Sequence, residues 1–299
     1  MGKEFLDRLK AGKVLIADGA TATNYQQMGM AIGVAPEDWI VDHPDKVLGL
    51  HRAFIEAGSD IILTDTFGAT SPRLRESRYA GRAAELNRRA VELAREAASI
   101  RPGVLVAGSM GPTGMLMEPL GDLTPAAAAE AYAEQAAALD EAGVDLLLLE
   151  TFFALDEALA AIEGVRRSSG LALAVSFSFD RGTRTMMGLS PTKVVEAIAH
   201  HEVAAIGANC GRSLEDMEHV VHEFAALKAG IPLWIKPNAG LPRMDGDAAH
   251  YDMDPAEMAQ FARRFIDAGA QVVGGCCGSS PEHVAAIAAV ADTSNNARN

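Results

Sequence analysis

Cysteine is nearly absent: the chain has three in 299 residues. That odd, sparse set excludes a disulfide framework. Aromatic residues supply only 5%, so the core must be built from Ala, Val, Leu and Ile. Basic residues are outnumbered, 26 Lys and Arg against 40 Asp and Glu, for a formal net charge of −14. This balance argues against nucleic acid or an anionic membrane surface as partner. No apolar run approaches the roughly 20 residues of a membrane-spanning helix. The opening Met1-Gly2-Lys3-Glu4-Phe5 lacks the basic start and apolar stretch of a secretory signal. The expected compartment is a reducing cytoplasm, where thiols serve more often as metal ligands or catalysts than as cross-links.

What is present is a regular alternation of short apolar runs with longer amphipathic segments. Residues 14–17 lead into Asp18-Gly19, 60–63 into Thr64-Asp65-Thr66, 104–107 into Gly108-Ser109, and 146–149 into Glu150-Thr151. Residues 171–175 lead into Ser176, 204–207 towards Asn209-Cys210, 233–235 into Lys236-Pro237-Asn238, and 271–273 into Gly274-Gly275-Cys276-Cys277-Gly278. These eight runs are continuous, as parallel strands covered on both faces should be. Between them, Pro44, Thr124-Pro125, Ser190-Pro191, Ser213, Asp254-Pro255 and Ser280-Pro281 open helices.

Eight strand–helix units predict an α/β fold, a single-domain (β/α)₈ TIM barrel over residues 1–292. A doubly wound open sheet is the alternative, and the lack of a Gly-x-Gly-x-x-Gly turn weighs against it. Residues before Val14 are expected to form a short helix at the barrel bottom. Residues 241–253, with Pro242, Asp245, Gly246 and Asp247, read as a long loop able to fold over a substrate. Residues 293–299 read as a frayed polar tail.

Reactive groups in such a barrel stand at the C-terminal ends of the strands. Here those positions carry Asp18, Thr66, Ser109, Glu150, Ser176, Cys210, Asn238, and Cys276 with Cys277. Successive side chains of a strand point opposite ways. Cys276 and Cys277 therefore serve one point only if the backbone bends, which the surrounding glycines permit. Cys210 ends the sixth run and the pair ends the eighth, so the three thiols can converge.

Soft sulfur ligands predict Zn²⁺, whereas an iron–sulfur cluster usually wants four cysteines. Three protein ligands leave one position for water or substrate, the arrangement of a catalytic site. Three thiolates bring the centre to a net charge of about −1, suited to binding an incoming thiol and keeping its sulfur electron-rich. A free thiol, with pKa near roughly 8.5, is little ionised at neutral pH. The expected reaction is attack by a substrate sulfur on an electrophilic carbon. The bland alternative is that the cysteines are buried small hydrophobes.

Asp18 and Glu150, two carboxylates at one rim with no basic partner close in sequence, read as site groups rather than as buried partners of Arg or backbone N–H groups. Thr66, Ser109 and Ser176 are either substrate contacts or hydrogen-bond supports for loops. Trp39 either covers the site or simply packs.

The segments Asp18-Gly19-Ala20-Thr21, Thr64-Asp65-Thr66-Phe67-Gly68-Ala69, Gly111-Pro112-Thr113-Gly114, Leu149-Glu150-Thr151, Asn209-Cys210, Pro237-Asn238-Ala239-Gly240 and Gly274-Gly275-Cys276-Cys277-Gly278 resemble the homocysteine S-methyltransferase family, in order along nearly the whole chain. The resemblance implies zinc-dependent transfer of a methyl group to homocysteine, giving methionine. It implies Cys210, Cys276 and Cys277 as zinc ligands, with Asn238 able to fill the fourth position until homocysteine displaces it. Asp18 and Glu150, the candidate catalytic carboxylates, fall where the family holds the substrate ammonium. Gly19 and Ala20 fall where backbone N–H groups receive its carboxylate, and Thr66 and Ser109 complete the expected substrate site.

The chain departs from the family at Asp65, where Asn is common, and the added negative charge favours a cationic methyl donor. Residues 181–187 and His250-Tyr251-Asp252 are similar to bacterial betaine–homocysteine methyltransferases, which makes betaine the favoured donor. The competing expectation is the homocysteine-activating component of a split cobalamin-dependent methionine synthase, fed by a separate corrinoid protein. From another class comes a non-enzymatic zinc or redox sensor, against which the carboxylate pair weighs. Homo-oligomerisation is left open.

Overall fold

The apolar runs become strands because elements on both sides cover them. The computed structural model describes residues 3–245 and 248–298. In chain order the strands are β1 Leu15–Ile16, β2 Ile61–Leu63, β3 Leu105–Met110, β4 Leu146–Phe152, β5 Ala172–Phe177, β6 Ala205–Cys210, β7 Leu233–Pro237, β8 Pro242–Asp245, β9 Ala248–Tyr251 and β10 Ala270–Val273. All except β8 and β9 form one parallel sheet in the order β1-β10-β7-β6-β5-β4-β3-β2. A bridge between Ala17 and Ile61 joins its two ends. At this seam Asp60 N–H donates to Ile16 O at 2.7 Å, and Ile16 N–H donates to Asp60 Oδ2 at 3.0 Å. The molecule is the expected (β/α)₈ barrel.

The helices are α1 Lys3–Lys10, α2 Ala22–Gln27, α3 Trp39–Asp42, α4 Pro44–Glu56, α5 Ala83–Ala98, α6 Pro125–Ala142, α7 Leu155–Ser168, α8 Pro191–Ile198, α9 Leu214–Ala226, α10 Pro255–Asp267 and α11 Pro281–Arg298. Their ends obey local chemistry. At α6, Thr124 Oγ1 accepts from Ala127 N–H at 3.1 Å, Pro125 sits in the first turn, and Gly143 leaves the helix at φ +95°.

Side chains alternate along each strand between two cores. Leu146 and Leu148 of β4 join the barrel interior, while Leu147 and Leu149 join the layer under the helices. Helix α1 closes the bottom as expected: Phe5 and Leu9 belong to the interior cluster. The Phe5 ring meets Trp234 edge-on, with centroids 6.3 Å apart. Burying Phe5 contributes about 1.5–3 kcal/mol.

Two expectations are corrected. The long loop after β7 contains an antiparallel pair, β8 with β9, and Gly246 and Asp247 lie outside the described residues. The tail does not leave the fold at residue 293, because α11 continues to Arg298. Its Asn295 amide accepts from Val14 N–H at 2.9 Å and donates to Val14 O at 3.1 Å. No helix among the described residues is long and apolar enough to cross a membrane.

Candidate metal centre and substrate cavity

β6 and β10 bring the three cysteines to one corner of the barrel top. Their sulfur atoms all lie within 4.8 Å of one another, and those of Cys210 and Cys276 are 2.9 Å apart. Cys210 sits at φ +55° and Thr151, at the end of β4, at φ +65°. Such values are uncommon for residues other than glycine and cluster at functional sites. Beyond the pair, Gly278 takes φ +80°, and a Cβ there would lie 2.2 Å from the Tyr251 ring. Only glycine fits this turn.

Hydrogen bonds tie the sulfurs into one unit. Cys277 sits far below its usual range, at about 3, because Cys210 and Cys276 both donate towards it, with Tyr251 adding to the effect. The same sharing pushes Cys210 well up and Cys276 up to about 12. One thiolate held by two thiols is a donor set primed for a cation. Tetrahedral zinc with bonds of about 2.3 Å separates its sulfurs by about 3.8 Å, so Cys210 and Cys276 need to part by less than about 1 Å to accept it. Next to Cys210, Asn238 N–H donates to Cys210 O at 3.2 Å, and the Asn238 amide donates to Gly211 O at 3.0 Å. Its Oδ1 is buried without a partner, an orphaned oxygen of the kind a metal satisfies. The residues fit a zinc ion.

The thiols open onto a cavity of about 870 Å³. Of the expected site residues, Gly19, Ala20, Ser109, Glu150 and the three cysteines line it, whereas Asp18, Thr66 and Asn238 stand behind the wall. Burial, the largest influence, raises the Glu150 carboxyl to about 7 against the pull of Lys236. Ser109 Oγ donates to Glu150 Oε1.

Several expectations change here. Asp18 does have a basic partner: Lys236 Nζ lies 2.7 Å from its Oδ1, with both side chains 3% exposed. Asp18 Oδ2 accepts from Leu63 N–H at 2.7 Å. Each of its oxygens thus already accepts one hydrogen bond within the protein. Ala20 N–H is likewise spent, on Ser279 O at 3.1 Å. Thr66 is a support: its hydroxyl donates to Ser109 O and shares a bond with Thr64 Oγ1, both at 2.6 Å.

Two organising residues were not singled out from the sequence. Lys236 is 2% exposed. Burial works against its ammonium, but Asp18 and Glu150 outweigh that and raise its pKa. It also acts on Cys276, so it supplies buried positive charge beside the sulfurs. Asn209 is fully buried. Its Oδ1 accepts from Thr151 N–H at 2.8 Å and from Ser176 Oγ at 2.5 Å. Its Nδ2 donates to Thr151 Oγ1 at 2.7 Å and faces the sulfurs of Cys210 and Cys276 at 3.7 and 3.8 Å. The dipeptide Asn209-Cys210 was a visible signal for this role, and Lys236 at a strand end was another.

Comparison with known proteins agrees with this architecture. The profile described as homocysteine S-methyltransferase matches residues 15–291. A methionine synthase of Mycobacterium leprae (strain TN) is 31% identical over 303 residues, covering 96% of this chain and 25% of the relative. One from Mycobacterium tuberculosis (strain ATCC 25618 / H37Rv) is 31% identical over 294 residues, covering 93% and 24%. The chain spans about a quarter of the length of these curated relatives. Among solved structures, the metallated form of the homocysteine methyltransferase MmuM from Escherichia coli has a TM-score of 0.81 at 24% identity, covering 96% of this chain and 99% of that one. The apo form has a TM-score of 0.73 at 26% identity, covering 93% and 96%.

Proposed function

The chain is a member of the homocysteine S-methyltransferase family, and from that premise we propose that it methylates the sulfur of homocysteine to form methionine, with zinc as cofactor. The observation that carries this reading is the trio of sulfurs within 4.8 Å of one another, facing a cavity with buried charge of both signs. Cys210, Cys276 and Cys277 would hold the ion, with Asn238 at hand for the remaining position. Zinc, when bound, supplies a fourth site that holds a thiol as thiolate.

The remaining steps belong to the chain's own residues. Lys236 keeps positive charge beside Cys276, Asn209 orients Cys210 and Cys276 by its amide, and Glu150 offers the cavity a carboxyl that titrates near neutrality. Homocysteine's ammonium would be met by Glu150, which lines the cavity, rather than by Asp18, which does not. The sulfur lone pair then forms the new carbon–sulfur bond in line while the donor's bond to its methyl breaks. No proton is taken from that carbon, so no base is needed there.

Betaine is the favoured donor. The corrinoid alternative is supported by the relatives named methionine synthase, of which this chain corresponds to only a part. A test is turnover of zinc-loaded protein with homocysteine and, in separate reactions, glycine betaine, S-methylmethionine and a methyl-corrinoid protein. Methionine from a small donor supports the first reading, and methionine from the corrinoid alone supports the second. No methionine from any of them, with zinc bound, returns the site to a sensor.

A further inference from the structure

One buried acid takes no part in the chemistry at the thiols or at Glu150. Glu157 is the third residue of α7, 2% exposed, and it stands behind the wall of the cavity rather than in it. Asp18 and Asp38 each have a cation, Lys236 and Arg78. Glu157 makes no ion pair among the described residues, and hydrogen bonds alone hold it. Three donors converge on its Oε1: Thr113 N–H at 2.8 Å, the Thr113 hydroxyl at 2.7 Å and the Tyr132 hydroxyl at 3.0 Å. Tyr132, on α6, is fully buried, and its hydroxyl also lies 3.2 Å from Gly111 O.

Helix packing fixes where this acceptor stands. Gly164 brings α7 against α6 so closely that a Cβ there would lie 2.2 Å from Ala129 O. The helix dipole accounts for an acid in the first turn of α7, and a solvated one would satisfy it equally. It does not account for burying the carboxylate beneath a turn of another unit. Apolar groups of the same shape would leave the seam as stable or more so. What the carboxylate does that they cannot is hold a neighbouring backbone in one place.

That neighbour is Gly111-Pro112-Thr113-Gly114, which follows β3 directly. Thr113 and Gly114 line the cavity together with Ser109 and Glu150. The turn is gripped from its other side as well. Gly111 N–H donates to Phe67 O at 2.8 Å, and a Cβ on Gly111 would stand 2.3 Å from the Phe67 ring. A Cβ on Gly114 would lie 2.5 Å from Arg73 Nη1. Two residues before the turn, Ser109 Oγ donates to Glu150 Oε1. The same backbone therefore carries the cavity wall and the hydroxyl that aims Glu150.

We infer that Glu157 is a positioning residue for the methyl transfer: bound to Thr113 and Tyr132 behind the wall, it fixes the turn 111–114, and through β3 the Ser109–Glu150 pair, in the arrangement that receives homocysteine. This rests on the homocysteine reading above. Glu157 touches no substrate and moves no proton in this role. It serves as an acceptor whose place matters. An uncharged acceptor of the same shape should therefore serve, and a missing one should not.

The experiment compares zinc-loaded full-length native protein with Glu157→Ala and Glu157→Gln. Bound zinc is read by chelator competition, folding by denaturant unfolding, and homocysteine affinity by calorimetric titration. Folded Glu157→Ala should keep its zinc and bind homocysteine about ten-fold more weakly. Glu157→Gln should stay within about three-fold of the native affinity. Tyr132→Phe removes one donor to the same oxygen, so its smaller loss should vanish in the Glu157→Ala background. Should Glu157→Ala fail to fold, Glu157→Asp, which withdraws the acceptor by one methylene, is read in its place. Native homocysteine affinity in that variant, loss of its zinc, a Glu157→Gln protein as weak as Glu157→Ala, or additive losses with Tyr132→Phe each overturn the inference. Native protein that holds zinc and binds no homocysteine sinks the acceptor reading instead, and that titration involves no variant.

Discussion

The two ends of the barrel are built from the same strands and obey opposite rules. At the bottom, Phe5 and Leu9 of α1 press into an apolar cluster containing Leu15, Leu146, Leu148 and Trp234. At the top, the same strands end in Asp18, Glu150, Lys236, Asn209 and three thiols, most of them buried. Thr151 and Cys210 there hold positive φ without being glycine, as do Glu202 and Lys228 in the loops that lead into β6 and β7. One end lowers the free energy by removing apolar surface from water. The other spends part of that gain on buried charge and unpartnered oxygens. A barrel can carry such a rim because its stability is supplied elsewhere.

The sharpest way to break this division is to change one residue at each end. Cys276→Ala should abolish bound metal, as read by chelator competition, and lower turnover by roughly 10³-fold or more, beyond the 10–100-fold typical of residues that only orient ligands. Retention of full zinc content would refute the ligand set. Phe5→Ala should do the reverse: about 3–5 kcal/mol of stability lost in denaturant unfolding, with the KM for homocysteine unchanged in the protein that remains folded.

Glu150 tests the rim's stability cost in metal-free protein. Its pKa rises from 4.5 to about 7 on folding. The native state thus holds more protons than the unfolded state between those values, and stability falls as pH rises through that window. Glu150→Gln should remove this loss, gaining up to about 3 kcal/mol relative to the native sequence at pH 8 and nothing below about pH 4.5. A flat difference across pH would contradict the assignment. The smallest effect is expected at Asn209→Ala, which should weaken metal binding by about 10–100-fold, because its amide faces two sulfurs without being a ligand.

The sequence reading succeeds where the physics is local. Eight strands are legible because burial on both faces demands unbroken apolar runs, and the helix starts because Thr124, Ser190, Ser213 and Asp254 each cap the backbone within three residues. The three cysteines are legible because so few exist. What escaped depends on distant pairing. The partner of Asp18 is Lys236, 218 positions away, and Lys236 looked like an ordinary strand end. The β8–β9 pair was missed because Pro242 and Asp245 are turn formers. Its strands are held by pairing with each other, which no apolar periodicity announces.

The seam between β1 and β2 has a consequence for how the molecule breathes. β1 has only two residues, and part of its bonding to the neighbouring strand comes from the Asp60 side chain rather than from backbone. Such a joint opens more cheaply than the six- and seven-residue ladders across the ring. In deuterated water the Ile16 amide should exchange ahead of those in β4. Asp18 and Asp65, which follow the two strands, would move with each opening.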